Sequence, residues 1–170
     1  MIDNGHSIQV NWPRGSMIKY ADKSYALVHL HFHRPSEESV NGKRYEMVAH
    51  LVHRDIEDPK RLAVIGVFFF RGKDNRFINQ IWANLPKAKQ RQSIVPTVEL
   101  NLNELLPDDR PYYLYTGSLT TPPCTEGVTW LLLKYPVPIS KEQIAVFERI
   151  YKMNARPLQA LNGRVVKESQ

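Results

Sequence analysis

The segment Val28-His29-Leu30-His31-Phe32-His33 sets three imidazoles on alternate positions of an apolar run. Alternate side chains of an extended strand project to one face, so His29, His31 and His33 share a surface. Burying them as plain core filling is costly, because every ring nitrogen needs a partner. As ligands for a metal such as zinc they are natural, each offering a neutral nitrogen. The competing reading is a row of polar positions on a half-exposed strand. A second pair, His50 and His53, follows one hairpin later. If Tyr45 to His53 is a regular strand, Glu46, Val48, His50 and Val52 share a face and His53 takes the other. His50 can then complete a site with two of the upstream imidazoles, whereas His53 is turned away. Three histidines around zinc leave a fourth position open for water, which is the catalytic pattern. Structural zinc needs a fourth protein ligand, commonly cysteine, and none lies nearby.

The elements that must hold these groups are mostly strands. Ser7 to Trp12, Tyr25 to His33, Tyr45 to His53, Leu62 to Phe70, Tyr112 to Leu119 and Val128 to Lys134 are rich in β-branched and aromatic residues. Asn41-Gly42 is a two-residue hairpin signal, with Glu37 to Val40 before it and Lys43 onward after it. Two helices interrupt. Asp74 is positioned to cap a segment whose Phe77, Ile78, Ile81, Trp82 and Leu85 recur at helical spacing before Pro86. Ser140 with Gln143 three residues on has the form of a capping box ahead of Ile144, Phe147, Ile150 and Tyr151. The fold class expected is mainly β, with α content limited to minor helices.

At 170 residues the chain suits one domain with a substantial core, and it shows no internal repeat or low-complexity block. The net charge of +6, from 23 Lys and Arg against 17 Asp and Glu, favours anions without demanding nucleic acid. The dense basic run Lys87-Ala88-Lys89-Gln90-Arg91 has no interleaved aromatic platform and reads as a solvated loop, so no nucleic-acid partner is expected. No apolar run reaches the length of a membrane span, and Leu62 to Phe70 suits a buried strand. Met1 to His6 has no basic-then-apolar leader, so no signal peptide is read in this chain. Cys124 is the single cysteine, open to being a buried thiol, an intermolecular partner or the remnant of a lost pair.

Further blocks extend the pattern. Asn4-Gly5-His6, His31-Phe32-His33 with Pro35-Ser36-Glu37, His50-Leu51-Val52-His53, Gly117-Ser118-Leu119-Thr120-Thr121-Pro122-Pro123-Cys124 running on to Thr129-Trp130, and Asn154-Ala155-Arg156-Pro157 occur in this order. In these blocks the chain resembles the α-class carbonic anhydrases, bacterial members in particular, along almost its whole length. The resemblance implies a central, mostly antiparallel twisted sheet with a few peripheral helices, shortened at the N-terminus. It implies a zinc lyase that hydrates carbon dioxide reversibly to bicarbonate and a proton through a zinc-bound hydroxide. His31, His33 and His50 would be the zinc ligands. Thr120 would hold the hydroxide, Glu37 would set the direction of that hydrogen bond, and His6 would relay the proton. Asn4, Gln9 and Thr121 would line the polar side of the cavity. Val52, Val64, Leu119, Val128 and Trp130 would form the apolar wall where carbon dioxide rests, with Thr120 and Thr121 also facing substrate. His29 and Asn154 would support the ligands from behind. Sulfonamides and anions are the inhibitors expected, and a periplasmic or secreted location follows from the same resemblance.

Departures from that pattern cluster around the ligands. His29 stands where the family usually carries a glutamine that accepts from the first ligand, and Glu38 stands where many members have histidine. Val48 replaces a glutamate that orients the third ligand, and valine accepts no hydrogen bond. Loss of such a partner costs about 10–100-fold in metal affinity or activity. The short N-terminus is expected to uncover sheet edges and apolar surface, favouring self-association through those edges or through Cys124. The alternative function is therefore a catalytically impaired zinc-binding or assembly domain of the same family. A zinc hydrolase of another class, with Glu37 as general base, ranks below both.

Overall fold

The computed structural model describes residues 1–86 and 99–169. Among the described residues ten strands form one sheet: β1 (Ile2–Asp3), β2 (Ile8–Asn11), β3 (Met17–Tyr20), β4 (Lys23–His33), β5 (Met47–Asp55), β6 (Leu62–Arg71), β7 (Tyr112–Ser118), β8 (Glu126–Leu133), β9 (Val137–Ile139) and β10 (Lys167–Glu168). Two helices accompany them, α1 (Arg76–Trp82) and α2 (Lys141–Ile150). The spatial order is β1-β2-β4-β5-β6-β8-β7-β10, with β3 on β4 and β9 on β6. Among the described residues the sheet is antiparallel except where β6 meets β8 and β9, so the mostly antiparallel expectation holds. The basic run Lys87 to Arg91 lies outside the described residues.

The sheet has a helix-covered face and a cavity face, and strand alternation assigns residues to them. On β5, Met47, Ala49 and Leu51 enter the core shared with Phe77, Ile78 and Ile81 of α1 and Ile144 and Phe147 of α2. Val48 and Val52, with His50 between them, face the other way, where Val64, Phe68, Val128, Trp130 and Leu132 form a second buried cluster. On β4 the same alternation buries Leu30 and Phe32 on the helix side. The ligand strands are thus clamped from behind by apolar packing. Phe32, between two of the histidines, meets Trp82 edge-on at 5.1 Å and Phe147 at 6.5 Å.

Both helices are capped by the side chains that close their open N–H groups. Ser140 and Gln143 make the reciprocal capping box the sequence suggests. For α1 the cap is Asn75 rather than Asp74: the Asn75 side chain accepts from Ile78 N–H. Gln143 explains the shift, because its side-chain oxygen accepts from Asn75 N–H and its amide donates to the Asn75 carbonyl, fixing that residue at the helix start. The Asn41-Gly42 turn forms with positive φ at both positions, 52° and 76°. Its flanks form an isolated bridge between Val40 and Lys43 and a further backbone bond from Ser36 N–H to the Tyr45 carbonyl, without developing into a regular hairpin. The short strands β1, β3, β9 and β10 were not anticipated; at two to four residues they are too brief to show a period.

Removing the clamp should be costly. Phe32→Ala opens a cavity in a fully buried position and is expected to lower unfolding stability by about 3–5 kcal/mol, as read from the midpoint of a guanidinium titration.

Candidate metal centre

The pairing of β4 with β5 puts His31 directly opposite His50, His33 opposite Val48, and His29 opposite Val52. His31, His33 and His50 consequently converge, with one candidate ligand nitrogen from each lying within 4.8 Å of the others. The rings pack at centroid separations of 5.0, 5.4 and 4.9 Å for the three pairs. Trp130 of β8 meets the His50 ring edge-to-face at 4.8 Å and closes the side toward the apolar wall.

Two of the three rings, His33 and His50, are held by specific partners. His33 Nδ1 bonds the carbonyl oxygen of Asn154 at 3.1 Å, leaving Nε2 without a hydrogen-bond partner among the described residues. His50 Nε2 bonds Glu38 Oε1 at 2.9 Å, so its Nδ1 is the nitrogen left for the centre. Glu37 accepts from the backbone N–H of Arg156 through Oε1 at 2.7 Å. Its Oε2 has no hydrogen-bond partner among the described residues and lies 3.4 Å from His33 Nε2 and 3.8 Å from His50 Nδ1. Buried polar atoms without partners are uncommon, and these two lie side by side next to His50. Neutral nitrogen donors with unspent lone pairs, beside a buried carboxylate, fit a zinc ion held by His31, His33 and His50.

Asn154 is the tie between segments. Its side-chain N–H groups donate to the carbonyls of His6 and Phe32, each at 2.9 Å, and its Oδ1 accepts from Arg34 N–H at 2.8 Å. One residue thereby fixes the end of β4, the loop bearing His6 and the ring of His33.

Burial sets the protonation states. It lowers the His33 pKa to about 4, with a further push from His50 and an opposing pull from Glu37. It drives His31 well below the usual imidazole value, helped by His50 and His33. Burial also lowers His29 to about 4, with Arg54 adding to the effect. At His50 burial again opposes the charge, but the Glu38 carboxylate, by field and hydrogen bond, outweighs it and the pKa is raised.

A cavity of about 240 Å³ opens beside these rings, lined in part by His29, His31 and His50. Val52, Val64, Leu119 and Trp130 contribute apolar lining, and Thr120 and Thr121 contribute hydroxyls to it. Val128 belongs to the same buried cluster as Val64 and Trp130 without lining the cavity. His29 packs 5.3 Å from the His31 ring, yet His31 Nδ1 has no hydrogen-bond partner, so no bond joins the two. Asn4 and Gln9, expected on the polar side, are not in the lining; the Asn4 amide donates to Gln9 Oε1 and Gln9 donates to Asn11, so their polar atoms satisfy one another. His6 is exposed and also lies off the lining. His53 is buried on the opposite face, bonded through Nδ1 to the Leu51 carbonyl.

A family model for the eukaryotic-type carbonic anhydrases matches residues 1–170. The chain belongs to this family. It is 40% identical over 99% of its length to a carbonic anhydrase of Nostoc, of which it spans 63%. It is 42% identical over 99% of its length to one from Klebsiella pneumoniae, spanning 68% of that protein. Among solved structures, the α-carbonic anhydrase of Thermovibrio ammonificans with the inhibitor sulfanilamide superposes with a TM-score of 0.92 at 42% identity, covering 97% of this chain and 72% of that one. As a zinc family, the carbonic anhydrases account for the histidine cluster that the strand register builds.

Two contacts around this centre are hidden from residue types alone. The Arg156 backbone N–H, which holds Glu37, carries no side-chain signal. The bond of Glu38 to His50 has one signal in the sequence, an acid gained at 38 where an acceptor is missing at 48.

The metal-free protein should lose stability in acid. His29, His33 and His53 have folded pKa values near 4 against 6.5, so the unfolded chain binds more protons between these limits. The stability they confer is complete above pH 6.5 and drains away as the pH falls toward 4. Urea unfolding at stepped pH should show that decline, and a flat profile from pH 7 to 4.5 would contradict the buried neutral rings.

Proposed function

We propose that the chain is a zinc-dependent carbonic anhydrase, hydrating carbon dioxide reversibly to bicarbonate and a proton. The observation that carries this reading is the convergence of nitrogens from His31, His33 and His50 beside a cavity that His31 and His50 line together with apolar side chains and two threonines. Zinc held by three histidines acts as a Lewis acid that makes hydroxide available from water at neutral pH, the effect known from the carbonic anhydrases themselves.

The chain's own groups divide the remaining work. Val52, Val64, Leu119 and Trp130 exclude water from one side of the cavity and give an apolar, uncharged substrate a place to rest. Val128 backs that wall from the buried cluster. The Thr120 hydroxyl both donates and accepts, so it can accept from a nucleophile while donating onward, which fixes the direction of attack. Glu37 suits the receiving end: it is an acceptor when ionised, is held by Arg156, and keeps Oε2 unspent. Thr121 in the lining offers a second hydroxyl to a polar product. His6 is exposed and tethered through its carbonyl to Asn154, so its ring can exchange protons with solvent from a fixed backbone.

The same reading brings sulfonamides and small anions to this cavity as inhibitors, and by family resemblance it sets the protein in the periplasm or outside the cell. Cys124, half-buried and the chain's single thiol, is available for an intermolecular disulfide between copies.

The test is stopped-flow hydration of carbon dioxide on protein of measured zinc content. One zinc per chain and sulfonamide-sensitive turnover are expected, with activity lost in His33→Ala and reduced about 10–100-fold in Glu37→Gln. Full zinc content with no hydration would decide for a silent member of the family.

A further inference from the structure

We propose that Glu38 positions His50 for metal binding, supplying from the loop a carboxylate that β5 itself does not provide. This inference rests on the zinc centre described above. His50 is 1% exposed at its side chain, and the hydrogen bond of its Nε2 goes to Glu38 Oε1 at 2.9 Å. The neighbour on the same face of the strand, Val48, is fully buried and apolar. It can neither accept from the ring nor fix which nitrogen carries hydrogen. A carboxylate on Nε2 holds the hydrogen there and leaves the Nδ1 lone pair facing His31 and His33.

Two consecutive acids serve one imidazole. Glu37 Oε2 lies 3.8 Å from His50 Nδ1 while Glu38 Oε1 holds Nε2. In a regular strand neighbouring side chains would diverge to opposite faces. Residues 37 and 38 lie instead in a bend outside the strands. That bend is tightly fixed: Ser36 Oγ donates to the Glu38 carbonyl at 2.7 Å and accepts from Tyr45 N–H at 2.9 Å, and Ser36 N–H bonds the Tyr45 carbonyl. The bridge between Val40 and Lys43 closes the loop a few residues on. Glu38 is therefore held in place before any metal arrives.

Zinc affinity by chelator competition, with thermal unfolding of the metal-free proteins as the control for folding, tests the assignment. Glu38→Ala should bind zinc about 10–100-fold more weakly. Glu38→Gln, which keeps an oxygen acceptor, should fall between it and the native chain. The double variant Glu38→Ala/Val48→Glu returns a carboxylate to the same face two residues from His50 and should recover most of the loss. Val48→Glu alone should gain nothing, because the ring is already held. A Glu38→Ala protein that folds and binds zinc with native affinity would overturn the proposal, as would a large gain from Val48→Glu alone. If Glu38→Ala does not fold, long-range proton–nitrogen NMR of the zinc-loaded native chain decides: hydrogen on His50 Nε2 supports the role and hydrogen on Nδ1 sinks it. None of these readouts uses catalysis, so tight zinc binding without hydration would end the proposed function and leave the Glu38 assignment standing.

Discussion

The register of β4 against β5 governs the whole site. His31 pairs with His50 across the ladder, and His33 lies one side-chain step along the same face. A slip of one residue would send His50 to the helix-covered side and bring Ala49 or Leu51 to the cavity. Two apolar clusters forbid that slip, since Met47, Ala49 and Leu51 are buried on one side and Val48 and Val52 on the other. The metal-binding geometry is thus a by-product of packing: hydrophobic burial on both faces selects one register, and that register brings the imidazoles together. The flanking antiparallel pairs of β2 with β4 and β5 with β6 leave neither ligand strand at an edge of the sheet.

Packing alone would make a poor site, because it buries groups that prefer water. The structure resolves this by dividing the charge. Desolvation holds His31 and His33 neutral, which is the state in which imidazole has a lone pair to give. The negative charge is concentrated instead on two adjacent acids, one fixed by a backbone amide and the other by a ligand ring. A dication placed among neutral ligands needs such nearby carboxylates more than it needs charged ligands, since the carboxylates offset its charge while the ligand nitrogens stay free to coordinate.

The long strands were legible in the sequence because they alternate over many residues against two distinct environments. The third ligand was legible for the same reason: His50 shares parity with Val48 and Val52, and His53 does not. The α2 cap was legible because its chemistry is local, from Ser140 to Gln143. The α1 cap misled because Asn75 is chosen by Gln143, a contact across 68 positions, while Asp74 looks equally good in isolation. The bonds of Asn4 to Gln9 and of Gln9 to Asn11 are equally invisible in residue types alone. Sequence shows which residue types are present; it does not show which polar atoms already have partners.

Asn154 makes that limit concrete. Four of its polar atoms or groups join chain segments separated by some 120 to 148 positions, and one of those bonds uses its backbone carbonyl, which any residue possesses. The side chain still has to be asparagine. Only a short amide presents an acceptor to Arg34 N–H and two N–H donors to separate carbonyls from a single planar group. Aspartate would lose both donors and add a buried charge beside Glu37 and Glu38, while glutamine would move the amide by a methylene and misplace all three bonds. The His33 ring is therefore oriented by a carbonyl whose position is fixed by the amide of the same residue. The alternating histidines supply the ligands, and a residue far along the chain gives one of them its direction.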